Sequence, residues 1–176
     1  DSDITIEQSL SGSLDFVFSA LPNVFSAEAL KDIIASGIKS IDIAADFRLN
    51  DLAIYEKWYE SKHPCPEFLK ESVYGLPELY RSEIAQSKLV ANPGCYPTAS
   101  ILGLAPALNS QIITNDILID AKSGVSGAGR GMSLKTHFNE VDESVSAYGL
   151  DGHRHMPEIE QELTRIAANK VNVTFV

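Results

Sequence analysis

A strand, a helix and a second strand follow one another near the start of the chain, and this order constrains the fold most. The segments LDFVFSAL (14–21) and IKSIDIAA (38–45) have the apolar composition of buried strands. Between them, residues 25–37 have apolar side chains at helical spacing, with Ser26 as the predicted N-cap and Gly37 as the predicted C′ residue. Strands joined through a helix lie parallel, so the sequence predicts an α/β fold.

The same alternation continues to the end of the chain. Further strands are predicted at 87–92, 116–122, 144–150 and 171–176, and further helices at 52–62, 97–108 and 157–169. Pro97 is the predicted first residue of its helix, and Pro106 is expected to end or kink that helix. The chain opens on Asp1 and stops inside an apolar-alternating run, so we expect a piece of a longer protein.

Charge and composition argue against several classes of partner. The net charge is −10, from 14 basic and 24 acidic residues, which disfavours nucleic acid and anionic membranes. No apolar run approaches the roughly 20 residues of a membrane span. Two cysteines, Cys65 and Cys95, are too few for a disulfide scaffold. We therefore expect free thiols in a cytoplasmic protein without nucleic-acid or membrane partners.

The turn NPGCYPT (92–98) presents a cysteine between a strand and a helix. Placed just before the helix start at Pro97, Cys95 would meet unpaired N–H groups and the positive end of the helix dipole, which favour a thiolate. Gly94 permits close approach of a substrate, and the N–H of Cys95 or Tyr96 could bind an oxyanion. Taken alone, the turn fits a buried structural cysteine equally well.

A base for that cysteine is offered by the segment GHRHMPEIEQEL (152–163). His153 and His155 stand directly before a predicted helix, whose dipole would keep an imidazole neutral and able to accept a proton. Two solvated loop histidines are the alternative. A metal site from Cys95, His153 and His155 lacks any familiar ligand spacing, so no metal is predicted.

Two further segments follow strands, at the edge where α/β sheets bind ligands. The loop SGVSGAGRG (123–131) is rich in glycine and could expose several N–H groups and two serine hydroxyls to a phosphate or a ring. Arg48, in DIAADFRLND (42–51), could clamp a carboxylate or phosphate, although an exposed arginine paired with a neighbouring aspartate fits as well.

Together these segments resemble one family. VANPGCYPTASILGLAP (90–106) is similar to the active-site signature of N-acetyl-γ-glutamyl-phosphate reductases, the small-x-Pro-Gly-Cys-aromatic-x-Thr pattern followed by hydrophobic-x-Pro. The resemblance extends to ADFRLND, YGLPEL (74–79), SGVSGAGR (123–130) and HRHMPEIEQEL (153–163), in the family's order. It covers essentially the whole chain.

The resemblance implies a two-domain enzyme and assigns each part of the chain to one of the two domains. Residues 1–93 would be the C-terminal part of an NADP-binding Rossmann domain without its N-terminal nucleotide loop. Residues 94–176 would be the first part of an α/β catalytic domain like that of glyceraldehyde-3-phosphate dehydrogenase, with its remainder missing. The full-length protein is expected to be a homo-oligomer, a dimer or a tetramer, that binds a small acyl-phosphate substrate.

The resemblance also implies the role of each site residue. Cys95 would be the nucleophile and His153 the acid/base, with Arg48, His155 and Asn92 binding substrate. The cofactor NADP would be lined by six residues of the glycine-rich loop: Ser123, Gly124, Ser126, Gly127, Ala128 and Gly129. The thiolate would displace phosphate from N-acetyl-glutamyl-5-phosphate, NADPH would reduce the thioester, and His153 would protonate the oxyanion as the semialdehyde leaves.

Three alternatives stay open on the sequence. An aminoadipyl-phosphate reductase of lysine biosynthesis acts on a substrate one methylene longer, a difference that gives little discrimination. A Cys–His hydrolase or acyltransferase would keep Cys95 and His153 without a nicotinamide. A catalytically silent fragment would bind NADP weakly and turn over poorly.

Overall fold

The computed structural model describes residue 10 and residues 13–176. The chain divides into two compact units, Asp1–Gly94 and Cys95–Val176. The start of the predicted NADP-binding domain, at residues 1–9 and 11–12, lies outside the described residues. Within the part that is described, no helix is both long enough and apolar enough to cross a membrane.

The first unit contains a parallel sheet of four strands in the order β1-β2-β4-β3. Its strands are β1 (Phe16–Ser19), β2 (Lys39–Asp42), β3 (Ser72–Tyr74) and β4 (Leu89–Ala91). Its helices are α1 (Phe25–Ala35), α2 (Leu52–Tyr59) and α3 (Pro77–Gln86), with a 3-10 helix at Pro66–Lys70. The predicted strand–helix–strand unit is confirmed, because β1 and β2, which precede and follow α1 in the chain, pair in parallel. The sequence analysis missed β3 and α3.

Strand β1 is less buried than its composition predicts. Phe16 and Phe18 lie on one face of the strand, with ring centroids 4.9 Å apart, and are 41% and 68% exposed. Val17, on the other face, packs against the core formed by α1, β4 and Phe47. The prediction of a buried strand is therefore confirmed for one face of β1 only, and it is wrong for the face of Phe16 and Phe18.

Helix α1 obtains its N-terminal cap from another segment. The predicted N-cap, Ser26, is wrong: it is a buried residue within the helix, where its hydroxyl reaches Asp42 and Ser19. The carboxylate of Asp46 instead accepts hydrogen bonds from the N–H groups of Val24 (2.9 and 3.0 Å) and Ala27 (3.2 Å). An anionic acceptor at a helix N-terminus satisfies unpaired N–H groups and complements the dipole.

The predicted C-terminal end of α1 is confirmed. Gly37 has φ 82°, its N–H donates to Ile34 O, and the N–H of Ile38 donates to Ile33 O. This pair of bonds is a Schellman motif, which glycine permits without steric cost at positive φ.

Asp42 ends β2 as a fully buried carboxyl. Ser26 Oγ donates to its Oδ1 at 2.5 Å and Ala44 N donates at 3.0 Å. Burial nevertheless raises the pKa of Asp42 from its ordinary 3.8 to about 6, against the lowering effect of these two hydrogen bonds. The native state therefore holds this proton more tightly than the unfolded chain does.

We expect the Asp42 carboxyl to make the free energy of unfolding fall as pH rises from about 4 to 6, since the unfolded chain releases the proton first. Asp42→Asn keeps an acceptor for Ser26 and carries no charge. Relative to wild type, the variant should gain up to about 3 kcal/mol across this window. Urea unfolding of both proteins at several pH values measures the difference, in which the opposing contribution of buried His63 cancels. Parallel stability curves would contradict the assignment.

The second unit pairs β5 (Asp116–Ile119) with β6 (Asn172–Phe175) in parallel. Its helices are α4 (Cys95–Asn109), α5 (Phe138–Val141) and α6 (Met156–Ala167), with 3-10 helices at Val125–Ala128 and Leu134–Thr136. Helices α4 and α6 pack on each other, and Ile159 and Leu163 of the predicted apolar face of α6 are wholly buried. Pro106 lies inside α4 and does not end it.

The strand predicted at 144–150 is wrong. These residues have no regular secondary structure, and their apolar side chains are exposed, Val145 at 89%. Alternating apolar residues form a strand only where a neighbouring strand accepts their backbone hydrogen bonds. The segment instead carries Tyr148 to the candidate site.

Candidate active site

Cys95 is the first residue of α4 and carries an exposed, free thiol. The helix therefore begins two residues earlier than predicted, and Pro97 occupies its third position. Proline is tolerated there because the first four N–H groups of a helix have no partner within it. The thiol thus lies in the first turn of a helix.

Tyr96, the next residue, connects several segments of the second unit. Its hydroxyl donates to Ser123 Oγ at 2.8 Å and lies 2.6 Å from the hydroxyl of Tyr148. Its ring meets those of His153, His155 and Phe175 edge-on, with centroids 5.4, 5.8 and 5.2 Å away. These are the distances of favourable aromatic pairs.

His153 lies half-buried among these rings. Its centroid is 4.8 Å from His155, 5.1 Å from Phe175 and 5.7 Å from Tyr148. The N–H of His155 donates to His153 Nδ1 at 3.1 Å, so a neutral His153 carries its proton on Nε2. Burial, with a smaller contribution from the charge of Arg154, lowers the pKa of His153.

Two features of residues 148–149 support this arrangement. Partial burial and the hydrogen bond to Tyr96 raise the pKa of Tyr148 to about 12. Gly149 has φ 65°, and a Cβ built there would stand 3.4 Å from His153 Cδ2. Glycine therefore suits this position both for its backbone and for the approach of the imidazole.

The glycine-rich loop offers fewer amides than the sequence predicts. Residues Val125–Ala128 form a 3-10 turn in which Gly127 N donates to Gly124 O and Gly129 N donates to Ser126 O. These two N–H groups are therefore used within the loop. The six predicted cofactor residues, from Ser123 to Gly129, are all exposed, and Ser123 reaches the Tyr96 hydroxyl.

Arg48 and Asn92 meet in the first unit. Arg48 is only 8% exposed, which excludes the exposed arginine considered above. Its Nε donates to Asn92 O at 2.7 Å and its Nη2 to Ile43 O at 2.8 Å. Asn92 N in turn donates to Asp42 O at 2.8 Å. Arg48 therefore joins the segments that follow β2 and β4.

The structure thus brings His153, His155 and Ser123 together around Tyr96, a residue that sequence reasoning considered only for its N–H. Tyr148 was also missed, because its segment was taken for a strand. A tyrosine directly after the candidate nucleophile was the available signal for Tyr96. Among the described residues, no group of three or more His, Cys, Asp or Glu side chains could hold a metal ion.

Comparison with known proteins gives the family. The semialdehyde dehydrogenase NAD-binding domain matches residues 2–87, and the semialdehyde dehydrogenase dimerisation domain matches residues 95–176. These two domains account for nearly the whole chain. A nicotinamide cofactor and subunit association are therefore features of the family to which both halves are similar.

Individual curated relatives are named N-acetyl-gamma-glutamyl-phosphate reductase. A relative from Dehalococcoides mccartyi is 51% identical over 174 residues, which are 98% of this chain and 51% of the relative. One from Pelotomaculum thermopropionicum is 55% identical over 164 residues, 93% of this chain and 47% of the relative. The chain spans about half the length of the curated relatives it matches. The protein belongs to the semialdehyde dehydrogenase family, with an α/β fold that joins a nicotinamide-binding part to a dimerisation part.

Proposed function

We propose that the full-length protein is an NADPH-dependent acyl-phosphate reductase of arginine biosynthesis. It converts N-acetyl-L-glutamyl-5-phosphate to N-acetyl-L-glutamate 5-semialdehyde and phosphate. The observation that carries the proposal is an exposed thiol at the start of α4, directly before Tyr96, whose ring meets that of His153, in a chain about half identical to reductases of that name.

We assign the two halves of the chain to the two domains of the family. Residues 1–93 belong to an NADP-binding Rossmann domain and residues 94–176 to the first part of the catalytic domain. The protein acts in the cytoplasm as a homodimer or homotetramer. The match to a dimerisation domain supports self-association.

Cys95 is the nucleophile of this reaction. Its thiolate attacks the acyl carbon, the bond to phosphate breaks, and a thioester forms with release of inorganic phosphate. The N–H of Cys95 or Tyr96, in the first turn of α4, stabilises the oxyanion of each tetrahedral intermediate. The same sulfur leaves when the aldehyde forms.

His153 is the acid/base group that faces the oxyanion. With Nδ1 accepting from the N–H of His155, its Nε2–H donates a hydrogen bond to the oxyanion and stabilises it until the carbon–sulfur bond breaks and the aldehyde C=O forms. The lowered pKa keeps the ring neutral at neutral pH, so the Nε2–H donor is present throughout the reaction. His155 binds substrate beside it.

The remaining assigned residues bind the substrate and the cofactor. Arg48 and Asn92 hold the anionic end of the substrate. The positive charge of Arg48 compensates the negative charge of the substrate in a protein whose net charge is −10. The exposed loop Ser123–Gly129 lies against NADP through the Ser123 hydroxyl and a glycine backbone that admits close approach, as at Gly129 with φ 78°. When bound, NADPH supplies the hydride.

Two enzyme assays on the full-length protein test this function. We expect phosphate-dependent reduction of NADP with N-acetylglutamate semialdehyde, whereas release of free acid without NADP would identify a hydrolase instead. Comparing kcat/KM for the glutamyl and aminoadipyl acyl phosphates decides between the arginine and lysine pathways.

The same assay distinguishes the two histidines. His153→Asn should lower kcat by at least about 100-fold, the usual contribution of a general acid/base. His155→Asn should act mainly on the KM of the acyl phosphate. The reverse pattern would assign the acid/base role to His155.

A further inference from the structure

The side chain of Tyr96 touches two groups that the proposed reaction uses. One is Ser123 of the cofactor loop, through the hydroxyl, and the other is His153, through the ring. Tyr96 also follows Cys95 directly in the first turn of α4. A single side chain thus links the segments that carry nucleophile, acid/base and cofactor loop within the second unit.

The hydrogen bonds at the hydroxyl have a direction. Tyr96 donates to Ser123 Oγ, and because a phenol has one proton, the 2.6 Å contact with Tyr148 requires Tyr148 to be the donor. The Ser123 hydroxyl also hydrogen-bonds Tyr148, so the three hydroxyls close a ring that runs from Tyr148 to Tyr96 to Ser123 and back to Tyr148. Tyr96 is the member of this ring that anchors it to the first turn of α4, so its hydroxyl fixes the position of Ser123 in the loop.

This direction holds across the neutral pH range. Partial burial, together with the Tyr96 hydrogen bond, raises the pKa of Tyr148 to about 12, so the phenol stays protonated. A chain of hydroxyl groups also polarises in one sense, which strengthens each of its bonds.

The ring of Tyr96 has a separate effect on His153. It meets the imidazole at 89°, while Phe175 packs against the imidazole at 35°. The titratable or charged groups facing His153 are Tyr96, Tyr148, His155 and Arg154. Removing the Tyr96 ring would let the imidazole turn and would expose it to water.

We propose that Tyr96 is a positioning residue with two separable actions: its hydroxyl fixes the position of Ser123 in the cofactor loop, and its ring holds His153. The inference rests on the proposed function, from which the roles of Ser123 and His153 come. It goes beyond that function by assigning a task to a side chain for which neither the sequence nor the family resemblance supplied one.

Two substitutions in the full-length protein separate these actions. Tyr96→Phe removes only the hydroxyl, so the KM of NADPH and its Kd, from fluorescence titration, should each rise about fivefold to tenfold, the size of one net hydrogen bond. The kcat and the pH profile of kcat/KM should stay as in wild type. Tyr96→Leu also removes the ring, so kcat should fall and the pH profile should shift toward that of a solvated histidine.

The controls keep the outcomes distinct. Tyr59→Phe, in α2 of the first unit, should leave the Kd of NADPH and the kcat unchanged. Thermal melts identify variants that lose the fold, and Tyr148→Phe, which breaks the same ring of hydroxyls while keeping the Tyr96 ring, should raise the Kd of NADPH and leave the pH profile as in wild type.

The results for Tyr96→Phe and Tyr96→Leu test the role of the hydroxyl and the role of the ring separately. A Tyr96→Phe protein with wild-type Kd overturns the role of the hydroxyl, and a Tyr96→Leu protein with the wild-type pH profile overturns that of the ring. A wild-type protein that binds NADPH with no reductase activity would refute the proposed reaction, while a raised Kd in Tyr96→Phe would still support the link from Tyr96 to the cofactor.

Discussion

Cys95→Ser in the full-length protein is expected to lower reductase kcat by about 1000-fold or more and to leave the fold intact. Serine is similar in size, and position 95 is exposed, so packing changes little. Its hydroxyl, however, is far weaker as a nucleophile at neutral pH than a thiolate, and an alkoxide is a poorer leaving group. The reaction needs sulfur twice, to form the thioester and to release the aldehyde.

Cys65→Ser is the matched control, because Cys65 is also a free cysteine but is buried, whereas Cys95 is exposed. Cys65 is fully buried in the core of the first unit, its thiol lies 3.6 Å from Ala27 O, and burial raises its pKa to about 12. Replacing it should reduce the free energy of unfolding without changing kcat in the folded protein. Iodoacetamide should label Cys95 and spare Cys65 in the native protein.

The covalent mechanism is open to refutation by these measurements. A Cys95→Ser enzyme that keeps a near-normal kcat would exclude a thioester on this residue. Loss of activity in Cys65→Ser at full native content would show that the effect does not depend on the exposed thiol.

Asp46→Ala should strongly destabilise the first unit, with a loss of about 3–5 kcal/mol in the free energy of unfolding. The Asp46 carboxylate is wholly buried and accepts from Val24 N, Ala27 N and, at 2.5 Å, the hydroxyl of Tyr55. Alanine would leave these donors in the interior without their acceptor, and each unsatisfied buried group costs about 1–3 kcal/mol. Urea unfolding followed by circular dichroism measures the loss.

Asp51→Ala provides the comparison, since Asp51 caps α2 from the exposed side. Its carboxylate accepts from Ala53 N at 2.8 Å and Ile54 N at 3.1 Å, and an exposed N-cap contributes about 1 kcal/mol. Adding Tyr55→Phe to Asp46→Ala should recover part of the larger loss by removing one stranded donor. Equal losses for Asp46→Ala and Asp51→Ala would contradict the assignment.

Local periodicity was sufficient for much of the fold. The β1–α1–β2 unit, helices α4 and α6 and strands β5 and β6 follow from apolar spacing within single segments, and Gly37 follows from its position after a helix. Strand β3 was missed because its three residues carry little periodicity. Helix α3 was missed because its sequence lacks a continuous apolar face, and the helix is itself interrupted at Tyr80, whose backbone is non-helical. The exposed face of β1 and the unpaired segment 144–150 depend on which neighbours a strand finds, and single segments do not contain that information.

The candidate site likewise contains residues that single segments predict and residues that only contacts between segments reveal. Cys95 and the histidine pair stand out by residue type and by the helix starts beside them. Tyr96, Tyr148 and the carboxylate of Asp46 become recognisable only through contacts between residues 22 to 52 positions apart. Ser26 was misassigned for a related reason: a hydroxyl near a helix start matches the N-cap pattern, while the real acceptor comes from beyond the next strand.

The capping of α1 by Asp46 also has a consequence for the order in which the chain can fold. The acceptor for Val24 N lies 22 residues downstream, past the whole of β2. A nascent chain that has emerged only as far as Gly37 lacks that acceptor, and an isolated helix of 11 residues is marginal in water. Helix α1 is therefore expected to become stable only with β2 in place, so that strand, helix and strand form as one cooperative step.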